Sequence, residues 1–225
     1  MQDSTMGTMG MITDSLPAGT YQVFIMSGKK GLVIDNYGLL AQSDFGYHSY
    51  SWLDTFWDGF TLTVGSENIS QDVVLKRVVG KLEVQILDNV PAAADSLSIT
   101  INPEILNKTI SDGANDAGTP TESFVYTVPI PASAKGKPNF TVDKLIGDTQ
   151  DINTVTIAYK DASNHIVDTA KVVNSVVFTN NTKTILSGNM CSGMTGGSSP
   201  QSFTVKVDTA WSSTINQTSF SLRRH

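Results

Sequence analysis

From Val78 onward the even positions Val78, Leu82, Val84 and Ile86 are apolar, while Lys81, Glu83 and Gln85 between them are polar. Period-two alternation of this kind marks a strand with one buried face. Just upstream the phase differs, because Val73 and Leu75 are the apolar odd positions and Val74 falls on the other side. A strand that changes its buried face, with Gly80 supplying a bulge or kink, predicts a segment that leaves one packed layer and enters another. Asp72–Leu87 therefore reads as a link between two β-domains, an N-terminal one over residues 1–71 and a C-terminal sandwich over residues 72–225.

Further alternation predicts the other strands. Tyr21 to Met26 follows the turn-forming Leu16-Pro17-Ala18-Gly19, and Phe60, Leu62 and Val64 alternate with Thr61 and Thr63. Leu97, Ile99 and Ile101 alternate with Ser96, Ser98 and Thr100. Phe124–Ile130, Phe140–Leu145, Thr154–Tyr159, Val172–Phe178, Thr184–Leu186 and Phe203–Val207 continue the series, and Asp161-Ala162-Ser163-Asn164 predicts a four-residue hairpin connection leading to Ile166 and Val167. Residues 32–58 carry no such pattern and read as a long irregular, aromatic-rich loop. No window sustains the i, i+3, i+4, i+7 stripe of a helix, so the predicted fold is all-β, built as two antiparallel sandwiches.

Composition narrows the partners. The chain has 225 residues, 16% of them charged, and a formal net charge of −6, so it offers no basic surface for nucleic acid. No apolar run approaches the ~20 residues that a membrane-spanning helix needs. Cys191 is the single cysteine, which rules out an internal disulfide and predicts a semi-buried loop thiol rather than a nucleophile. His48, His165 and His225 are far apart and read as solvated imidazoles. Asp112, Asn115 and Asp116 lack the order of a calcium loop and read as a turn. Met194–Ser199 is a Gly-rich loop without the strand-to-helix setting of a phosphate-binding site. No catalytic residue, cofactor site or metal site is expected.

The aromatic run from Tyr47 to Trp57 leaves two readings open. If exposed, Tyr47, Tyr50, Trp52 and Trp57 would form a surface for stacking sugars or binding protein. If buried, they are the lid of the first sheet.

Several stretches taken together resemble the fimbrial subunits of Bacteroidales-type bacteria, within the fimbrillin superfamily and on its FimB-like anchor and accessory branch. They are LPAGTYQVFI at Leu16–Ile25, LTV at Leu62–Val64, DVVLKRVVGKLEVQILDNVPAAADSLSI at Asp72–Ile99, NTKTILSGNM at Asn181–Met190 and FTVKVDTAW at Phe203–Trp211. The resemblance covers roughly residues 7–211 and implies two transthyretin-like β-sandwich domains, exported and displayed at the outer membrane. It implies a pilus subunit that acts as anchor, tip or accessory protein, with other fimbrial subunits as partners joined by strand complementation, and it carries no catalytic residues. Host or surface glycans are the alternative partner. Members of the family carry a leader, a lipidated Cys and further strands before the L-P-A-G-T-Y segment, whereas fifteen residues precede Leu16 here. Met1–Gly10 therefore looks like the tail of a missing front, the N-terminal domain is expected to be incomplete, and any membrane contact would pass through a lipid anchor absent from this chain.

Overall fold

A computed structural model describes residues 11–35, 43–47, 51–114, 122–147, 151–191, 203–209 and 219–223. The first half supplies β1 (Met11–Thr13), β2 (Gly19–Ser27), β3 (Leu32–Asp35), β4 (Asp44–Tyr47), β5 (Phe56–Val64), β6 (Asp72–Val74) and β7 (Lys76–Arg77). The second supplies β8 (Gly80–Ile86), β9 (Ser96–Glu104), β10 (Asn107–Thr109), β11 (Glu122–Pro129), β12 (Phe140–Ile146), β13 (Ile152–Lys160), β14 (Ile166–Val177), β15 (Lys183–Gly188), β16 (Thr204–Asp208) and β17 (Ser219–Arg223). The described regular structure is β apart from one short 3-10 turn at Ala132–Ala134.

Two four-stranded sheets, ordered β11-β9-β13-β14 and β12-β8-β15-β16, make the sandwich. Their facing sides carry the alternating residues of the sequence: Leu82, Val84 and Ile86 from β8 pack with Leu97, Ile99 and Ile101 from β9, Val155 and Ile157 from β13, and Leu186 from β15. Each such side chain contributes about 1.5–3 kcal/mol by leaving water. The pairings are antiparallel with one exception inside this unit. Strands β8 and β15 run parallel, Leu82 beside Thr184 and Val84 beside Leu186. The expected antiparallel sandwich thus contains a parallel ladder, because the chain crosses from β14 in one sheet to β15 in the other before pairing.

The remaining sheets are ordered β2-β5-β7, β10-β4-β3 and β1-β17-β6. Strands β2 and β5 pair over their full nine residues, from Gly19 opposite Val64 to Ser27 opposite Phe56. Their partners are drawn from both halves of the chain. Asn107–Thr109 pairs with Asp44–Gly46, Lys76 and Arg77 pair with Trp57 and Phe56, and Ser219–Ser221 pairs with Asp72–Val74.

The change of buried face along 73–86 is visible directly. Val73 and Leu75 lie in a small cluster with Ile25, whereas Val78 and Val79 join Phe45, Tyr47, Trp52 and Ile110, and Leu82 enters the sandwich. Gly80 opens β8, where a Cβ would stand 3.0 Å from the carbonyl oxygen of Thr179.

Residues 32–58, expected to be irregular, contain β3, β4 and the start of β5. Strands of four residues are too short to show alternation, and β4 exists because β3 and β10 flank it. Ile166–Val167 and Val172–Phe178, expected as separate pieces, are one strand through Val177 with left-handed residues at Asp168 (φ 69°) and Ser175 (φ 59°). The predicted hairpin between β13 and β14 forms, with the Asp161 amide donating to His165 O and Asn164 in the left-handed region at φ 63°.

Candidate functional site: an open strand edge and a closed aromatic junction

The aromatic run is largely internal. Tyr47 and Trp52 are buried, with ring centroids 5.9 Å apart, and Phe45 meets Trp52 edge-on at 6.4 Å. The Tyr47 hydroxyl shares a 3.1 Å hydrogen bond with Thr55 Oγ1. Trp52 Nε1 donates to Ile105 O at 3.2 Å, between β9 and β10. Its indole lies so close to Gly147 that a Cβ there would collide with it. Trp52 thus docks the first half onto the sandwich, as Leu145 from β12 does from the other side.

Trp57 is half-buried, stacked on Phe24 at 6.4 Å, with Nε1 donating to Ile110 O at 3.1 Å and Gly113 (φ 66°) against its ring. Tyr50 lies outside the described residues. Tyr47 and Trp52 therefore present no open ring face for a sugar, and Trp57 presents little.

Beside Trp57 runs a cleft of about 550 Å³ lined also by Lys76, Arg77, Asp112, Asn180 and Asn181. Its strongest cation is already engaged. Arg77 donates to both oxygens of Asp54 at 2.6 and 3.0 Å and to Asn181 Oδ1 at 2.8 Å, and its guanidinium carbon stands 5.0 Å from the Phe56 ring centre. The cleft wall is a clamp between the two halves.

A second polar cluster sits at the sandwich end of this junction. Tyr126 donates to the buried Glu104 at 3.4 Å, and Lys144 Nζ lies 4.3 Å from the Tyr126 ring centre and 2.8 Å from Ser51 Oγ. Burial raises the Tyr126 hydroxyl above its ordinary range, with Glu104 adding to the shift, and burial lowers Lys144. These contacts tie the first half to the sandwich at this end of the junction.

Other chemistry resolves simply. Burial, then the Asp88 carboxylate, pushes the Cys191 thiol up to about 11, so the thiol stays protonated at neutral pH. Asp112 accepts from Thr109 Oγ1 at 2.6 Å and from the Ala114 amide at 2.9 Å, the contacts of a turn. Asn115, Asp116, His48, His225 and Met194–Ser199 lie outside the described residues. His165 is exposed, 3.7 Å from Asp161. Among the described residues no three His, Cys, Asp or Glu side chains converge as a metal would require, and no helix is long and apolar enough to cross a membrane.

The sheet edges differ from one another. Along β11 the register shifts between Glu122 and Phe124, and the strand ends in Pro129. At β12, Leu145 and Lys144 are engaged by the first half. The long β14 is broken by its two left-handed residues. Bulges, prolines and covering elements are the devices that stop an edge from accepting a further strand. Strand β16 carries Lys206 but has neither a bulge nor a proline and, among the described residues, no covering element: it pairs with β15 in continuous register from Thr204 opposite Ser187 to Asp208 opposite Lys183.

Val205 stands opposite Leu186 and Val207 opposite Thr184. Both partners are buried, so the two valines point toward the core side, yet they remain 46% and 52% exposed. Beyond them, among the described residues, the sheet ends. The alternation at Phe203–Val207 identified the strand, but only the register shows that its inward side lacks cover.

No protein-family model matches the chain, and no curated protein matches it. Solved structures do resemble it. A candidate adhesin from Bacteroides ovatus superposes with a TM-score of 0.52 at 9% identity over 71% of this chain and 66% of its own. A second candidate adhesin from the same species gives 0.51 at 9% identity, over 85% and 73%. At such identities the likeness establishes a shared all-β fold, and this chain spans just under two thirds of the first protein's length.

Proposed function

We propose that this chain is a non-enzymatic cell-surface structural protein of the adhesin-like class, a fimbrial anchor, tip or accessory subunit that joins its neighbour by strand addition at β16. The observation that carries this reading is the open edge itself: a regular strand with two inward-pointing valines half in water. A strand added beside β16 would satisfy the outer row of backbone groups and cover Val205 and Val207, gaining ladder hydrogen bonds and burial together. The motifs shared with fimbrial subunits and the fold shared with candidate adhesins of Bacteroides support the same reading, and cell-surface display goes with it.

Glycan binding through Tyr47, Tyr50, Trp52 and Trp57 has less support, because two of the four rings lie in the core.

The test is amide hydrogen exchange of the full chain mixed with subunits encoded beside its gene. The expected result is slowed exchange across Thr204–Asp208 in the complex and loss of the complex in Val205→Lys/Val207→Lys. A complex that forms while those amides stay fast would refute strand addition at this edge.

A further inference from the structure

The sandwich has two outer faces, and they are chemically unlike. On the sheet β12-β8-β15-β16 the outward positions carry Lys81, Glu83, Asp143, Lys183, Lys206 and Asp208, tied by ion pairs from Lys81 to Asp143 at 2.7 Å and from Lys183 to Glu83 at 3.0 Å. On the sheet β11-β9-β13-β14 one row runs Val125, Thr100, Thr156, Val172 across all four strands. The flanking positions are Asn102, Thr154 and Asn174, the last two joined at 3.3 Å, and then Ile152 opposite Val177. None of these is charged. Charge enters the sheet at the ends of β13, at Asp151 and Lys160, and in β14 at Asp168 and at Lys171, which stands opposite the core-facing Ile157; Lys160 is turned toward the hairpin carbonyl of Asn164 at 3.2 Å.

Five of the nine large apolar side chains most exposed in the described structure belong to this sheet: Val125, Ile152, Ile166, Val172 and Val177, each between 41% and 69% exposed. Such clustering of apolar surface marks an interaction site.

We propose that this face binds the same face of a second copy of the chain. Two observations select that occupant. The row Val125–Thr100–Thr156–Val172 reads the same in both directions, apolar, hydroxyl, hydroxyl, apolar. A two-fold axis lying in the interface and parallel to the strands places Val125 over Val172 of the second copy and Thr100 over its Thr156, which is what an isologous contact requires. Charge makes the same selection. Two copies of a chain with net charge −6 repel each other, and this is a face on which they meet without opposing like charges. A sugar-binding face would be expected to present aromatic planes, and these positions hold none.

The packing is that of two aligned sheets about 10 Å apart. Four strands about 4.8 Å apart and some 30 Å long offer at most about 600 Å² per copy, below the ~800 Å² per partner of a standard stable interface. The association is therefore weak, with Kd on the order of 100 μM, and it strengthens as salt screens the net charge. It uses a different sheet from the β16 edge, so the two contacts are independent.

Sedimentation velocity of the full chain from about 10 μM to 1 mM tests this. Wild type is expected to pass from monomer to dimer, and more readily at higher salt. Val172→Lys and Val125→Asp should each weaken the dimer at least tenfold. The double variant Val125→Asp/Val172→Lys should recover it, because the two-fold brings each new carboxylate against a new ammonium. Both positions are exposed, so unchanged thermal melts are expected to confirm folding. A chain that stays monomeric at 1 mM, a dimer indifferent to Val172→Lys, a double variant that fails to recover, or a dimer abolished by Val207→Lys instead would each overturn the proposal.

Discussion

The interior of the sandwich and the junction beside it are both tightly packed, but by different means. The sandwich core is aliphatic, drawn in strict alternation from neighbouring strands, and its stability comes from area removed from water. The junction is aromatic and polar. Trp52 and Tyr47 are fixed there by hydrogen bonds to Ile105 O and Thr55 Oγ1, Phe45 packs edge-on against Trp52, and Glu104, Lys108 and Asp44 are buried nearby. An aliphatic core tolerates exchange of one side chain for another of similar volume, whereas a hydrogen-bonded aromatic wedge does not. Rigidity between the halves therefore rests on a few specific contacts, and rigidity within the sandwich on many interchangeable ones.

The sharpest way to break the contrast is Trp52→Ala, expected to cost about 3–5 kcal/mol in urea melts. It should also speed amide exchange in β3, β4 and β10 before that of β8 and β9. Simultaneous loss of protection in all five strands would show that the two regions unfold as one unit. Leu82→Ala is the matching cut in the sandwich and should cost roughly 2–5 kcal/mol, while Leu82→Met should cost less than about 1.5 kcal/mol. A loss below about 0.5 kcal/mol for the alanine variant would remove β8 from the core.

Gly147→Ala probes the junction from its other side. The added methyl meets the Trp52 indole, and a loss of about 1–3 kcal/mol is expected. Combining it with Trp52→Ala should be less than additive, since the alanine at 52 leaves nothing to collide with.

The smallest effect concerns the charged outer face. Burial pulls the Glu83 carboxyl up, but hydrogen bonds from Lys183 and Gln85 outweigh it and hold the group below its ordinary 4.5, while the bond to Glu83 raises Lys183 above 10.5. A carboxyl depressed in the folded state gives stability that is fully present above 4.5 and lost as pH falls through its folded value. The raised ammonium gives stability that is present below 10.5 and lost as pH rises through its folded value. Glu83→Gln should therefore cost roughly a few tenths of a kcal/mol at pH 7 and nothing at pH 2. An equal loss at both pH values would show that the ion pair is not its source.

Much of the β-structure was legible because period-two alternation is a local property. Val84 is buried wherever β8 goes, since its neighbours Glu83 and Gln85 must face the other way. The hairpin at Asp161–Asn164 was legible for a similar reason, its Asp and Asn carrying the turn in their own side chains. Strands β3, β4 and β10 were not, because three or four residues are too few to show a period and their ladders depend on partners far along the chain, Lys108 lying opposite Phe45.

The candidate sites divide the same way. That Phe203–Val207 is a strand, and that Thr100 faces away from Ile99 and Ile101, follows from the chain alone. That β16 ends its sheet with two valines uncovered, and that four residues from four strands form one uncharged row, follows only from which strands pair and in what register. The aromatic run shows the limit most clearly. Its composition admits an exposed platform or a buried wedge equally, and the choice was made by Ile105 O and Gly147, which lie 53 and 95 residues beyond Trp52 and meet it only when the halves close. Sequence determines what a residue can bury locally; the long-range contacts decide what is there to bury it against.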